Sequence, residues 1–283
     1  MRLSARELRE RAAEARAHYA RCDLCAHRCA VDRTRGPAGL CQEGDGLFLA
    51  GAGIHYGEEP ELVPSGLILI AGCNLACQSC ETWDFSLERR GAVRTSPEQL
   101  AALLIDLQQR GARNANFVTP THVLPVLLEG LALAAEHGFS LPVVWNCGGY
   151  ESVEALRLLD GVVDVYLPDA KYGDDAAAYE LSGCKGYTAA LHESLAEMRR
   201  QARVIVRHLV LPSGVAAAEK VMPLIASVSP ELCVNVLSQY RPAYRASRFP
   251  VISRGVASEE VRAAVEAARS AGLRNVLVDG KAA

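Results

Sequence analysis

The chain has 283 residues, 30 Lys and Arg against 33 Asp and Glu, and a formal net charge of −3. Half of it is hydrophobic and 22% is charged. That balance excludes a disordered chain and gives no cationic surplus for a nucleic-acid partner, while the length suits one large α/β domain or two small ones.

The N-terminus, Met1 to Arg11, carries charges throughout and lacks the apolar stretch of a secretory signal, which predicts a cytoplasmic protein. Apolar runs such as Leu67–Ala71 fall far short of the ~20 residues of a membrane span, so no membrane partner is expected. Ten cysteines in a reducing compartment do not read as five disulfides. Seven of them lie between positions 22 and 80 in two tight groups, a pattern that more often holds metal.

In chain order, residues 4–20 predict a helix, with Ser4 and Glu7 forming a capping box. The segment 21–66 is glycine-rich and aperiodic and contains Cys22, Cys25, Cys29 and Cys41, so 1–65 reads as a helix followed by a cysteine-rich metal-binding lobe. From residue 66 onward short apolar runs alternate with helical stretches. The predicted strands are 66–72, 114–118, 141–146, 162–168, 203–211 and 233–237, with a weaker seventh at 275–278. The predicted helices are 96–110, 123–137, 152–158, 187–201, 216–226 and 258–271. Continuous apolar strands alternating with helices imply a parallel sheet covered by helices. Six strand–helix units are too few for a closed eightfold barrel, so 66–283 reads as a partial (β/α)6 barrel.

In such folds chemistry sits at the C-terminal ends of the strands. The unusual polar residues fall there: Cys73, then Thr119 to His122, Asn146 to Tyr150, Asp169 to Lys171, and Gln239 to Arg241, with His208 inside the fifth strand. The strongest signal is Cys73-x3-Cys77-x2-Cys80 directly after the first strand. Three soft thiolates on one short loop suit an iron–sulfur cluster or zinc. With no fourth ligand following nearby, one iron of a [4Fe-4S] cluster would stay open to a small molecule.

This motif in this position resembles the radical S-adenosylmethionine (radical SAM) superfamily, whose barrel is TIM-like. The stretches 116–125, 206–212 and 239–242 are similar to the branch related to pyruvate formate-lyase activating enzymes, from about Cys22 to the C-terminus. The resemblance implies S-adenosyl-L-methionine bound at the open iron and cleaved reductively to a 5′-deoxyadenosyl radical, which abstracts hydrogen from a substrate. It also implies an electron donor such as flavodoxin or ferredoxin, and a protein substrate if the chain is a glycyl-radical activase. A small-molecule or peptide-modifying enzyme and a non-catalytic zinc-binding scaffold are the alternatives.

By the same resemblance, cofactor contacts are expected from Trp83, Thr119, Thr121, Asn146, Asp169, Lys171 and His208. The superfamily's Gly-Gly-Glu-like segment is replaced here by Val118-Thr-Pro-Thr121. Lys171 would pair with the cofactor carboxylate, oriented by Asp169. Candidates for touching substrate are His122, Cys147, Tyr240 and Arg241. Cys22, Cys25, Cys29 and Cys41 supply four ligands for a closed second site, either zinc or a second iron–sulfur cluster, with His27 as a spare ligand.

Overall fold

The structure, a computed structural model, describes residues 2–57 and 59–283. The first helix, α1 (Ala5–Ala17), is closed by the expected box: Ser4 accepts from the Glu7 amide while the Glu7 carboxylate accepts from the Ser4 amide. Its buried Leu8, Ala12 and Ala15 pack on a later helix, α4 (Leu124–Glu136).

The segment expected to be aperiodic contains a nine-residue strand, β1 (Leu47–His55), which pairs antiparallel with β2 (Ser65–Ile70). Its Gly-rich, weakly alternating sequence hides it, because four of its nine residues are Gly or Ala. With α1 seated on α4, two parts of 1–65 are thus built into the main body.

Beyond β2 come α2 (Trp83–Ser86), β3 (Val93–Thr95), α3 (Pro97–Gln109), β4 (Ala115–Val118) and α4. Then follow β5 (Val143–Cys147), α5 (Val153–Leu158), β6 (Val165–Pro168), α6 (Asp175–Ser182), α7 (Tyr187–Gln201) and β7 (Arg203–Leu209). The chain finishes with α8 (Ala218–Val228), β8 (Cys233–Leu237), α9 (Ser258–Ser270), β9 (Asn275–Val278) and β10 (Lys281–Ala282). Strands β2, β4, β5, β6, β7, β8 and β9 run parallel, in that order. The weak seventh strand is therefore part of the sheet. The six helical crossovers match six strand–helix units, with β9 added at the end. Antiparallel β1 and β3 extend one edge and β10 the other, giving a ten-stranded sheet.

The period-2 alternation of the strands decides what faces what. Ile68, Ile70, Phe117, Trp145, Tyr166, Val204, Val206, Val234 and Val236 join the buried helix residues in one large core. The alternate residues Val144, Leu167 and Ile205 form a second, small cluster with Leu62, from the segment between β1 and β2. On that second face Arg207 pairs with buried Glu59 at 2.8 Å, and Asn235 donates to the same carboxylate. One face thus packs helices. The other is partly filled by the chain's own 59–62 segment and leaves room at the C-terminal ends of the strands. Among the described residues no helix is long and apolar enough to cross a membrane.

Candidate functional site

A cavity of about 220 Å³ lies at those strand ends. Its wall contains Cys73, Cys77 and Cys80, together with Thr119, Asn146, Cys147, Asp169 and Lys171. Register explains the convergence. Val118, Asn146 and Leu209 lie on the sheet face that α3, α4 and α7 do not cover, in step with Val144, Leu167 and Ile205.

Gly72 opens the three-cysteine loop with φ +82°, a conformation that a residue with a Cβ resists. The loop is then held from an unexpected side. The amides of Ala76 and Gln78 donate to the carbonyls of Ser182 and Leu181, at the C-terminal end of α6. Helix α6 escapes the sequence reading because it has only eight residues and a weak apolar pattern. It nevertheless supplies Ser182, whose hydroxyl donates to the Cys77 sulfur at 3.1 Å. The other two sulfurs are also bonded. The Leu75 amide donates to Cys73 at 3.4 Å, while Thr82 and Ser86 hydroxyls lie 3.4 and 3.3 Å from Cys80. Donors aimed at sulfur are what tunes a thiolate-bound cluster.

Electrostatics points the same way. Burial pushes the Cys73 and Cys77 thiols up, Cys77 and Cys80 add to the rise at Cys73, and Lys171 opposes it at both. Burial alone would discharge Lys171, but the Asp169 carboxylate at 2.6 Å and the Cys77 sulfur outweigh it and hold the lysine well above its ordinary value. Lys171 is therefore a fixed cation on the cavity wall. The chemistry of the donor set fits a cationic sulfur-bound centre that would relieve the repulsion among three half-buried thiolates. Among the described residues no group of three or more His, Cys, Asp or Glu side chains is already gathered closely enough to hold a single ion.

Several expected residues do not line the cavity. His208 falls on the helix-covered face with Val204 and Val206, is 0% exposed, and hydrogen-bonds through Nδ1 to the Ala170 carbonyl. Its neighbour Arg207 takes the other face, paired to Glu59. Thr121 is 2% exposed, donates to Glu151 and accepts from the Trp145 indole. His122 is 2% exposed, bonds through Nε2 to the Ala71 carbonyl, and is kept neutral with a pKa lowered to about 3 by burial and by Arg33. Tyr240 is 4% exposed and spends its hydroxyl on the Ile252 carbonyl. Trp83 stacks on Tyr244 outside the cavity, and Arg241 is exposed to solvent. Thr119 does line the cavity, but its hydroxyl already donates to the Gly72 carbonyl at 3.2 Å.

Sequence reasoning missed Glu151. Its carboxyl is fully buried behind the cavity wall and pushed up to about 7 by burial, partly offset by the Cys147, Thr121 and Asn74 side chains. It missed Tyr187 as well, whose hydroxyl accepts from the Lys171 amide and lies within 3.1 Å of the Gly148 carbonyl. No local pattern marks either, since both act across strand ends distant in sequence. Cys147, by contrast, is both buried and on the cavity wall, with a thiol raised well above its ordinary range by burial and by Glu151.

The N-terminal cysteines group next to this site. Burial raises Cys25, and Cys22, Cys41 and Cys29 each push it further. Cys25 bridges to Glu151 through its backbone, and the Ala26 amide donates to Tyr150. His27 is tied to the other loop: its Nε2 bonds the Asn74 carbonyl, between Cys73 and Cys77, at 2.8 Å. Arg33, 0% exposed, stacks on Tyr19 at 4.4 Å. Its guanidinium donates to the carbonyls of His122, Glu43 and Gly44 and to the Cys22 sulfur.

The chain is similar in sequence to one curated protein and in fold to solved structures. The chain is 34% identical over 259 residues to the uncharacterized protein MJ0674 of Methanocaldococcus jannaschii, covering 88% of this chain and 75% of that one. It shares a fold, at a TM-score of 0.52 and 12% identity, with HydG, a maturase of the [FeFe]-hydrogenase. That match covers 73% of this chain, which spans about half (49%) of the HydG chain. No protein-family model matches.

Proposed function

The chain belongs to the family of the uncharacterized protein MJ0674 of Methanocaldococcus jannaschii, and from that premise we propose that it is a radical SAM enzyme. The observation that carries this reading is the meeting of Cys73, Cys77 and Cys80 with the Asp169–Lys171 pair on one cavity at the C-terminal ends of a parallel sheet. A [4Fe-4S] cluster held by the three thiolates would supply reductive cleavage of S-adenosyl-L-methionine to methionine and a 5′-deoxyadenosyl radical.

The residues then divide the work. Ser182 and the Leu75 amide direct hydrogen bonds at the Cys77 and Cys73 sulfurs, and the Thr82 and Ser86 hydroxyls lie beside Cys80. Lys171 meets the cofactor carboxylate, with Asp169 orienting it. Asn146 and the Thr119 backbone provide polar contacts on the opposite wall, and Leu75, Leu209 and Leu211 exclude water. Cys147 is a further thiol on the same wall and the candidate there for contact with substrate.

Cluster and cofactor, once bound, would occupy the cavity at the strand ends, and substrate would have to reach the radical from outside. That favours a protein segment as substrate, as for a glycyl-radical activase, over an enclosed small molecule. Cys22, Cys25, Cys29 and Cys41 would form a closed second metal site. The buried Arg33 guanidinium beside the Cys22 sulfur supports an anionic thiolate set there.

The test is anaerobic reconstitution with iron and sulfide, reduction, and assay of 5′-deoxyadenosine beside a Cys77→Ala control. Deoxyadenosine from the parent and none from the control is the expected result. Zinc in both cysteine sites with no cleavage would establish the scaffold reading instead.

A further inference from the structure

Residues 239–255 contain Arg241, Arg245, Arg248 and Arg254 and no acidic residue, in a chain of net charge −3. Arg254 is paired with Glu260. Arg241, Arg245 and Arg248 are exposed and form no ion pair among the described residues. Charge left unpaired on a surface raises the local potential and steers an oppositely charged partner.

The place of this loop is specific. The Arg245 amide donates to the Gln78 carbonyl at 2.9 Å, between Cys77 and Cys80. Tyr244 stacks on Trp83, ring centroids 5.3 Å apart, just beyond Cys80. The Arg245 guanidinium lies over the Tyr244 ring at 4.7 Å and that of Arg90 over Trp83 at 4.8 Å. A half-buried aromatic pair rimmed by arginines has the composition of a protein-binding surface. Glu81, Asp84 and Glu88 adjoin it; Glu88 is taken up by Arg90.

None of residues 239–255 lines the cavity. A partner seated on the arginine loop would therefore lie against the three-cysteine loop without entering the cavity. We propose that this loop, with Trp83 and Tyr244, is the docking surface for a small acidic one-electron carrier protein. The inference rests on the radical SAM reading, which requires a reductant. The carrier is oxidised by one electron, the bound cluster is reduced by one, and no proton or group crosses the interface. Transfer rates fall steeply with distance, so a surface over Cys80 is where such a partner must sit. An anionic substrate would need its cations in the cavity wall, where Lys171 is taken up by Asp169 and, on the reading above, by the cofactor carboxylate.

The experiment uses the full-length reconstituted protein, with an FMN flavodoxin of acidic surface as the carrier and dithionite as a small reductant needing no docking. Flavodoxin binding and S-adenosylmethionine cleavage are measured for the parent, for Arg245→Glu with Arg248→Glu, and for Arg245→Lys with Arg248→Lys. The expected result is flavodoxin binding weakened about tenfold at low salt in the Glu variant and retained in the Lys variant. The parent's binding should weaken as salt rises. Flavodoxin-driven cleavage should fall with binding while dithionite-driven cleavage stays at the parent's rate. Unchanged, salt-insensitive binding of the Glu variant overturns the proposal. So does an equal loss with both reductants, which would give the loop to substrate or to loop support. If dithionite yields no cleavage even in the parent, the radical SAM reading fails, and the binding measurements still decide the docking surface.

Discussion

Replacing Gly72 by alanine tests whether the entry to the three-cysteine loop is as constrained as its surroundings imply. Gly72 has φ +82°, where a residue with a Cβ costs about 1–2 kcal/mol. The added Cβ would lie 2.5 Å from Glu43 Oε1 and 2.8 Å from His122 Nε2. Neither neighbour can yield easily. Glu43 is fully buried and paired with Arg89 at 2.9 Å, and the His122 ring is bonded to the Ala71 carbonyl. Forcing one aside is overpacking of the kind that costs roughly 1–3 kcal/mol. Gly72→Ala should therefore lose about 2–5 kcal/mol, a fall in Tm of ~3–8 °C for a chain of this size. Because Cys73 follows directly, bound iron per chain should fall as well. Gly53→Ala is the control: an added Cβ there meets nothing within 4 Å. The measurement is a thermal melt of metal-free protein and iron analysis after reconstitution. A Gly72→Ala melt within about 2 °C of the parent, with a full iron complement, would refute the reasoning.

Three further outcomes are expected. Lys171→Met removes the cation from the cavity wall, so calorimetric titration of reconstituted protein should show S-adenosylmethionine affinity lowered by roughly tenfold or more with iron content unchanged; equal affinity would remove the lysine from the carboxylate's binding site. Arg33→Met leaves the carbonyls of His122, Glu43 and Gly44 without their buried donor and should cost about 3–5 kcal/mol in denaturant unfolding, whereas a loss below ~1 kcal/mol would mean that water replaces the guanidinium. Glu260, lowered to about 2 chiefly by Arg254, with help from the Ala257 and Ser213 amides, stabilises the fold above its ordinary value near 4.5. That contribution is lost as pH falls from there toward 2, so Glu260→Gln should be less stable at pH 7 by ~1 kcal/mol, discounted for partial exposure, with the gap closing in acid. A pH-independent gap would trace the loss to packing.

The sequence by itself determined the alternation of strands and helices, because burying one face of each element imposes periods that can be read residue by residue. Helix α7 and strands β8 and β9 lie where their apolar patterns place them, and Ser4 and Ser96 cap their helices through short-range hydrogen bonds. The three-cysteine loop was equally legible, since its cysteines are close in sequence and follow a strand. What only the tertiary structure decided depends on contacts between distant segments. Strand β1 is stable because β2 and β3 supply its hydrogen bonds, not because of its Gly- and Ala-rich sequence. The short α6 matters through where its last turn ends, against Ala76 and Gln78. A one-residue step in β7 put Arg207 on the open face and His208 beneath the helices, and pattern alone could not choose between them, because both faces of this sheet are buried. The same holds for Glu151, His27 and Arg33, whose roles come from groups that the fold brings to them.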